Sequence, residues 1–209
     1  MIKILIADDH AVVRRGLAQI MHDEPDLTVV AEARTAGEVL HALRENDIDI
    51  LILDIAMPGG GGLEVLKQLQ DLRPDLPTLV LSVYAEKQYA VRAMKAGAAG
   101  YLTKDSIPEE LVDAIRCVAR GERYITPAVT DLLATRVRGG AAPSHQELSN
   151  REFQVMCMLT QGKTVSDIAD DLKLSAKTIS TYRARILKKL HLESTADIIR
   201  YALEHDLVE

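Results

Sequence analysis

The residues best suited to chemistry are polar groups placed where apolar runs stop. Ile50-Leu51-Ile52-Leu53 is unbroken, and Asp54 follows it directly. Ile2 to Ala7 runs into Asp8-Asp9, Thr78 to Leu81 into Ser82, and Gly100 to Thr103 into Lys104. Three carboxylates drawn together repel one another and need a cation to stay ionised. Mg²⁺ suits that role, because it prefers oxygen ligands, retains water and bridges carboxylates to phosphate oxygens. A carboxylate in that setting can attack phosphorus and form an aspartyl phosphate. A lysine would neutralise charge on the transferring group, and the Ser82 hydroxyl would bond a phosphoryl oxygen. Each residue alone has an ordinary use: a solvated acid, a turn serine, a surface lysine. Their coincidence at matching strand ends points to phosphoryl transfer onto Asp54. His10 reads as a loop or helix-start residue.

The elements that must position these groups follow from periodicity. The Ile50 run lacks a helical period and is rich in β-branched residues, as in a strand buried on both faces. Met57-Pro58 and Gly59 to Gly62 then force a turn. Strands are also predicted at Ile2 to Ala7, Leu27 to Ala33, Thr78 to Ser82 and Gly100 to Thr103. Between them, apolar residues recur at helical spacing: Val12, Val13, Leu17, Ile20 and Met21; Val39, Leu40 and Leu43 after a capping Thr35; Leu63, Leu66 and Leu69; Ala90, Ala93 and Met94; Leu111, Ile115 and Val118. Five strands alternating with five helices predict an α/β domain, a doubly wound parallel sheet with right-handed crossovers. In the flavodoxin-like order 2-1-3-4-5, strands 1, 3, 4 and 5 are consecutive neighbours, about 4.8 Å apart. The polar ends then meet at the topological switch point, where open α/β sheets bind ligands.

Residues 1–121 make up this domain, long enough for its own core. Residues 122–146 form a linker, with a helix-like segment Pro127 to Val137 and a flexible stretch Arg138 to Ser144. Residues 147–209 carry helical patterns and no strand pattern, an all-α domain. Ser149 with Glu152 forms a capping box before Phe153, Met156 and Leu159. Val165, Ile168, Ala169 and Leu172 mark a short second helix. Leu174-Ser175 turns into a third, with Ile179, Ile186, Leu187 and Leu190 facing the core, and Thr195 opens a fourth. Two short helices joined by a tight turn, the second basic, form a helix-turn-helix pattern.

The chain has 209 residues, 25 Lys+Arg and 31 Asp+Glu, for a net charge of -6. That total decides nothing about nucleic acid, but the local balance does. Ser175 to Leu190 carries Lys177, Arg183, Arg185, Lys188 and Lys189 and no acid. Hydroxyls and cations on one face match DNA phosphates and base edges. Ser180, Thr181 and Ala184 are placed to face bases, with Lys177, Tyr182, Arg183 and Lys188 on phosphates and Thr178 beside them. Cys117 and Cys157 lie far apart in apolar patterns without metal spacing, which predicts core packing. The apolar start is too short for a signal peptide, and no run approaches the roughly 18–20 residues of a membrane span. A soluble, cytoplasmic protein without membrane association is expected.

Asp8-Asp9, Asp54, Met57-Pro58, Ser82 and Lys104 resemble a two-component receiver domain in type and spacing. Leu148-Ser149-Asn150-Arg151-Glu152, Ile168-Ala169 and Lys177-Thr178-Ile179-Ser180-Thr181-Tyr182 resemble a LuxR-type helix-turn-helix. Together they resemble a NarL/FixJ-family response regulator over nearly the whole chain. The resemblance implies a transcriptional regulator rather than an enzyme, with Asp54 accepting phosphate from a sensor histidine kinase or other phosphodonor. It implies Mg²⁺ on Asp8 or Asp9, Asp54 and the carbonyl of Ala56. It implies that Ser82 and Tyr101 couple phosphate to the face made by the fourth helix, fifth strand and fifth helix. It further implies a homodimer when phosphorylated, double-stranded DNA as partner, and RNA polymerase as a candidate partner. Gly59 to Gly62 departs from the family, which more often has a larger residue and an acid there. A Mg²⁺-dependent phosphohydrolase would also cluster aspartates at strand ends, but gives no reason for the second domain. Multiple-turnover phosphatase assay separates the two readings.

Overall fold

The computed structural model describes residues 1–57, 61–82, 86–104, 107–127, 129–130, 144–205 and 207. The chain divides into two compact units, Met1–Leu132 and Leu133–Glu209. The expected helix-like segment Pro127 to Val137 and the flexible stretch Arg138 to Ser144 lie largely outside the described residues.

In the first unit, strands and helices alternate: β1 (Ile2–Ala7), α1 (Ala11–His22), β2 (Leu27–Ala33), α2 (Ala36–Glu45), β3 (Ile50–Asp54), α3 (Gly62–Leu72), β4 (Thr78–Ser82), α4 (Glu86–Lys95), β5 (Gly100–Thr103) and α5 (Ile107–Ala119). All pairings are parallel, in the order β2-β1-β3-β4-β5. This is the predicted doubly wound sheet. Every residue of β3 and of β4 is buried, as strands covered by helices on both faces must be. One core cluster joins Ile4, Ile6, Ile50, Ile52, Leu79 and Leu81 to Leu17 and Met21 of α1 and Leu111, Ile115 and Val118 of α5. It is aliphatic, as a chain without Trp and with a single Phe requires. Removing one such Leu or Ile to Ala typically costs about 2–5 kcal/mol.

Register brings the strand ends together. Ala7 pairs with Leu53, Asp54 with Leu81, and Ser82 with Thr103. Asp8, Asp54, Ser82 and Lys104 therefore leave the sheet at one edge, each within a residue of its neighbour's end. Past Gly121 the chain stays with this unit. Tyr124 bridges Gly100 in parallel, and its hydroxyl donates to Glu110 at 2.9 Å.

The glycine turn after β3 is partly described, with Pro58, Gly59 and Gly60 outside it. Gly62 donates its N–H to the Ile55 carbonyl at 2.9 Å, and a Cβ at Gly62 would overlap the Asp54 carbonyl oxygen. Gly61 holds φ 79° and ψ 154°, a conformation that glycine alone adopts freely. Gly62 is thus set by backbone crowding next to Asp54, and Gly61 by its backbone conformation.

Among the described residues, the second unit opens on a 3₁₀ turn, Ser144–Glu147, followed by α6 (Asn150–Thr160), α7 (Val165–Leu172), α8 (Ala176–Leu190) and α9 (Thr195–Glu204). The capping box expected at Ser149 and Glu152 is present. Two more occur, Thr164 with Asp167 and Ser194 with Asp197. Ser175 caps α8, accepting from the Thr178 N–H at 3.1 Å. Lys173 ends α7 in the left-handed region at φ 54°, which reverses the chain into α8. Leu148, Phe153, Met156, Ile168, Leu172, Ile179, Ile186, Leu190, Ile198 and Ala202 are all buried. Leu187, expected in this core, is half-buried.

Candidate functional site

At the carboxyl edge of the first unit, Asp8 and Asp54 are each 1% exposed. The Lys104 ammonium sits between them, donating to Asp8 Oδ2 at 2.6 Å and to Asp54 Oδ2 at 2.9 Å. The other Asp54 oxygen accepts the Ala56 N–H at 3.0 Å. Burial dominates Asp54 and raises its pKa above the usual aspartate range, against the pull of Lys104 and with the help of Asp8. Burial pulls Lys104 the other way, but the charges and hydrogen bonds of Asp54 and Asp8 together exceed it, so its pKa is raised. The lysine therefore stays charged at neutral pH.

Asp9 offers a further donor. Its Oδ1 is shielded from solvent and has no hydrogen-bond partner. His10 Nδ1 lies 3.0 Å from it, near enough for a charge pair but without hydrogen-bond geometry. Asp8, Asp9, His10 and Asp54 each present a ligand atom, and all four atoms lie within 4.8 Å of one another. A buried carboxylate oxygen left unpaired among other carboxylates is what a hard divalent cation satisfies, so the three aspartates fit Mg²⁺.

Ser82 is fully buried at the end of β4, next to Thr103 in the register. Tyr101 is 1% exposed, already inside the fold rather than turned toward solvent. Two neighbours of the pocket were not anticipated. Arg14 Nη1 donates to the Asp8 carbonyl at 2.7 Å while its Nε bonds Glu32 at 2.9 Å, which holds the end of β1. His10, expected as a loop or helix-start residue, is the N-cap of α1; it donates its backbone N–H to Asp8 Oδ1 at 2.7 Å and turns its ring toward the acids. Nothing in the local sequence marks either contact, because both depend on where β1 ends relative to α1.

In the second unit, α8 sorts its residues by face. Ile179, Ile186 and Leu190 are buried, whereas Lys177, Ser180, Thr181, Ala184, Arg185 and Lys188 are exposed. Thr178, Tyr182 and Arg183 are half-buried at the margins. Lys177, Ser180, Thr181, Ala184 and Lys188 recur every three or four positions and share one side of the helix. The Thr181 hydroxyl donates to the Lys177 carbonyl at 2.9 Å, which leaves its lone pairs and methyl group outward. Arg183 Nε donates to Thr195 Oγ1 at 2.8 Å.

Lys189 is turned away to a structural task. It donates to Glu152 Oε2 at 2.6 Å and to the Glu147 carbonyl at 3.1 Å. Glu152 is 3% exposed and also accepts the Ser149 N–H at 2.8 Å. Burial pushes the Glu152 pKa up, but the Lys189 and Ser149 bonds outweigh it and hold the pKa below 4.5. With a folded-state pKa below the unfolded one, the stabilisation is complete above the ordinary glutamate range and is lost as pH falls through the lowered value. Glu152→Gln is expected to weaken this unit by about 1–3 kcal/mol at neutral pH and to flatten that acid limb. Hydrogen exchange of the α6 and α8 amides in the full chain, from neutral to acid pH, measures both.

Cys157 is buried as expected, but Cys117 is half-buried, with its thiol 3.6 Å from Glu122. Burial and that carboxylate raise its pKa, which keeps the thiol protonated and unreactive. None of the described helices is long and apolar enough to cross a membrane.

Comparison with known proteins agrees with this geometry. Residues 4–116 match the response regulator receiver domain, and residues 146–202 match the bacterial regulatory proteins of the luxR family. The chain is 39% identical over 213 residues to the response regulator GacA of Pseudomonas aeruginosa, covering 100% of this chain and 99% of that protein. It is 36% identical over 209 residues to the response regulator UvrY of Escherichia coli, covering 99% and 96%. Among solved structures, it resembles RcsB of Salmonella enterica serovar Typhimurium bound to promoter rprA in the presence of the phosphomimetic BeF3-. That match has a TM-score of 0.66 and 26% identity, and covers 96% of this chain and 97% of that one. A receiver domain and a LuxR-type DNA-binding unit thus occur in one chain, which belongs to the NarL/FixJ family of response regulators.

Proposed function

We propose that Asp54 is the phosphoacceptor of this regulator and that its modification controls dimerisation and promoter binding. The observation that carries this reading is the Asp54 carboxylate itself, buried at the end of the central strand with Lys104 2.9 Å away. An Asp54 oxygen bonds to phosphorus as the P–N bond of a phosphohistidine breaks. The bonding pair leaves with the imidazole, which takes a proton, and a mixed acyl phosphate remains on Asp54. The donor is a sensor histidine kinase or a small-molecule phosphodonor. Asp8, Asp9, Asp54 and the carbonyl of Ala56 would hold Mg²⁺, which when bound offsets the negative charge shared by carboxylate and phosphoryl group. Lys104 shifts from the Asp8–Asp54 pair to a phosphoryl oxygen, and the Ser82 hydroxyl donates to another.

Ser82 and Tyr101 lie on β4 and β5, so a pull on Ser82 is passed to the surface made by α4, β5 and α5. Tyr101 starts from a buried position, so the rearrangement is a repacking around it rather than its entry into the fold. The exposed face of α8 enters the major groove of double-stranded DNA, with Ser180, Thr181 and Ala184 toward bases and Lys177, Thr178, Tyr182, Arg183 and Lys188 toward phosphates. A homodimer would read paired half-sites about one helical turn, or a multiple of it, apart. The protein acts in the cytoplasm as a regulator of transcription rather than as a turnover enzyme, with RNA polymerase as its downstream partner.

A 100-fold change in DNA affinity requires about 2.7 kcal/mol of coupling, within the usual range. Sedimentation and DNA titration of the same samples, with and without beryllofluoride and Mg²⁺, test the switch. Beryllofluoride is expected to raise mass and affinity together. Unchanged mass and unchanged affinity would leave a constitutive DNA-binding protein.

A further inference from the structure

The acid pocket carries a nitrogen donor at its mouth. His10 is 63% exposed by side chain, yet its ring is not free to wander. The His10 N–H is tied to Asp8 Oδ1 at 2.7 Å, so the backbone of residue 10 is pinned against the pocket. Nδ1, not Nε2, faces the carboxylates, 3.3 Å from Asp8 Oδ1 and 3.0 Å from Asp9 Oδ1.

Those separations have a meaning beyond ion pairing. Two adjacent donors on an octahedral ion, each about 2.1 Å from it, lie about 3.0 Å apart. The Asp9 contact lacks hydrogen-bond geometry, so the Asp9 oxygen and the imidazole are adjacent without being satisfied by each other. A cation between them would satisfy the Asp9 oxygen and take the Nδ1 lone pair in place of its 3.3 Å hydrogen bond with Asp8 Oδ1. The neutral ring would present its Nδ1 lone pair to the ion and carry its proton on Nε2 toward solvent.

We propose that His10 Nδ1 is an inner ligand of the divalent-cation site, making the site selective for imidazole-accepting ions such as Ni²⁺ over Mg²⁺. The proposal rests on the reading of Asp8, Asp9 and Asp54 as a cation site. Carboxylates alone favour hard ions, whereas an added imidazole moves preference along the order Mn²⁺ < Co²⁺ < Ni²⁺. The chemical consequence is a pocket in which Ni²⁺ displaces Mg²⁺ at concentrations well below that of Mg²⁺.

The test uses the full chain, with Mn²⁺ as spectroscopic probe and Ni²⁺ and Mg²⁺ as titrants. Pulsed electron paramagnetic resonance of bound Mn²⁺ is expected to show ¹⁴N modulation that vanishes in His10→Ala. The same variant is expected to lose at least about tenfold in Ni²⁺ affinity, the lower end of what losing even an outer-sphere partner costs. Its Mg²⁺ affinity is expected to change by less than about twofold, because Mg²⁺ gains little from nitrogen. The His10 ring is exposed, so unfolding temperature without metal should match the parent and show that the fold is intact. Bound Mn²⁺ without ¹⁴N modulation, or modulation that survives His10→Ala, would overturn the His10 assignment and leave the acidic site standing. Failure of the parent to bind any of the three ions would overturn both.

Discussion

Asp54→Asn is expected to abolish covalent phosphorylation altogether. A small-molecule phosphodonor with Mg²⁺ should label the parent with an acid-labile, hydroxylamine-sensitive group, and the variant should carry none. The amide keeps the shape and can still accept from the Ala56 N–H, which bonds Asp54 Oδ1 at 3.0 Å in the parent. It lacks the carboxylate nucleophile, however, so the acyl phosphate cannot form. Asp9→Ala makes the complementary case. It removes a cation ligand but leaves the nucleophile, so labelling should slow and Mg²⁺ binding should fall while the domain stays folded. Full labelling of Asp54→Asn at another residue would reassign the acceptor.

The same substitution carries a stability signature with a definite sign. Burial raises the Asp54 pKa in the folded state. A raised acid favours its neutral form on folding, so stability falls as pH rises through the folded pKa and stays lower above it. Where Asp54 is ionised and no metal is present, the fold bears the cost of a desolvated carboxylate. Asn carries no such charge. In metal-free buffer Asp54→Asn should therefore unfold at a temperature no lower than the parent, and its stability should lack the decline with rising pH. Calorimetry across mildly acid to neutral pH reads both. A large drop in stability would mean that the Lys104 pairing outweighs desolvation.

The acid pocket was legible because strand ends and register are written locally. Asp54 follows four apolar residues, and parallel alternation leaves few sheet orders in which Asp8, Ser82 and Lys104 do not lie beside it. The Ser149–Glu152 box was legible for the same reason, since both partners sit within one turn. What escaped was set by the direction each side chain takes in the folded chain, not by residue type. Lys189 and Lys177 read alike as cations on one helix, yet the buried Glu152, 37 residues away, ties up the half-exposed Lys189. His10 read as a loop or helix-start residue, and it does cap α1, but nothing local says which way its ring turns. Cys117 sits in an apolar pattern, but Glu122, five residues on, lies against its thiol and leaves it half-buried.

That division of the cations makes the DNA prediction sharper than composition allowed. Lys177 lies in the first turn of α8 and is exposed, with no ion-pair partner among the described residues. Lys177→Ala is expected to weaken binding to all DNA sequences alike and to reduce the log–log salt slope by about one unit, the mark of a lost phosphate contact. Thr181 should behave differently. Its hydroxyl hydrogen is spent on the Lys177 carbonyl, so it offers DNA an acceptor oxygen and a methyl group. An acceptor suits the amino groups of adenine or cytosine, and a methyl suits thymine. Thr181→Ala should leave the salt slope unchanged and cost about 1–3 kcal/mol of discrimination at one base pair. Lys189→Ala is the control that composition would not suggest. Its ammonium bonds Glu152 and the Glu147 carbonyl, so losing it should lower the stability of the second unit and spare the salt slope. Titration of all three variants against promoter and random duplexes at several salt concentrations separates the roles. If Lys177→Ala and Thr181→Ala both bind like the parent while Lys189→Ala changes the slope, the face of α8 that enters the groove is not the exposed one described above.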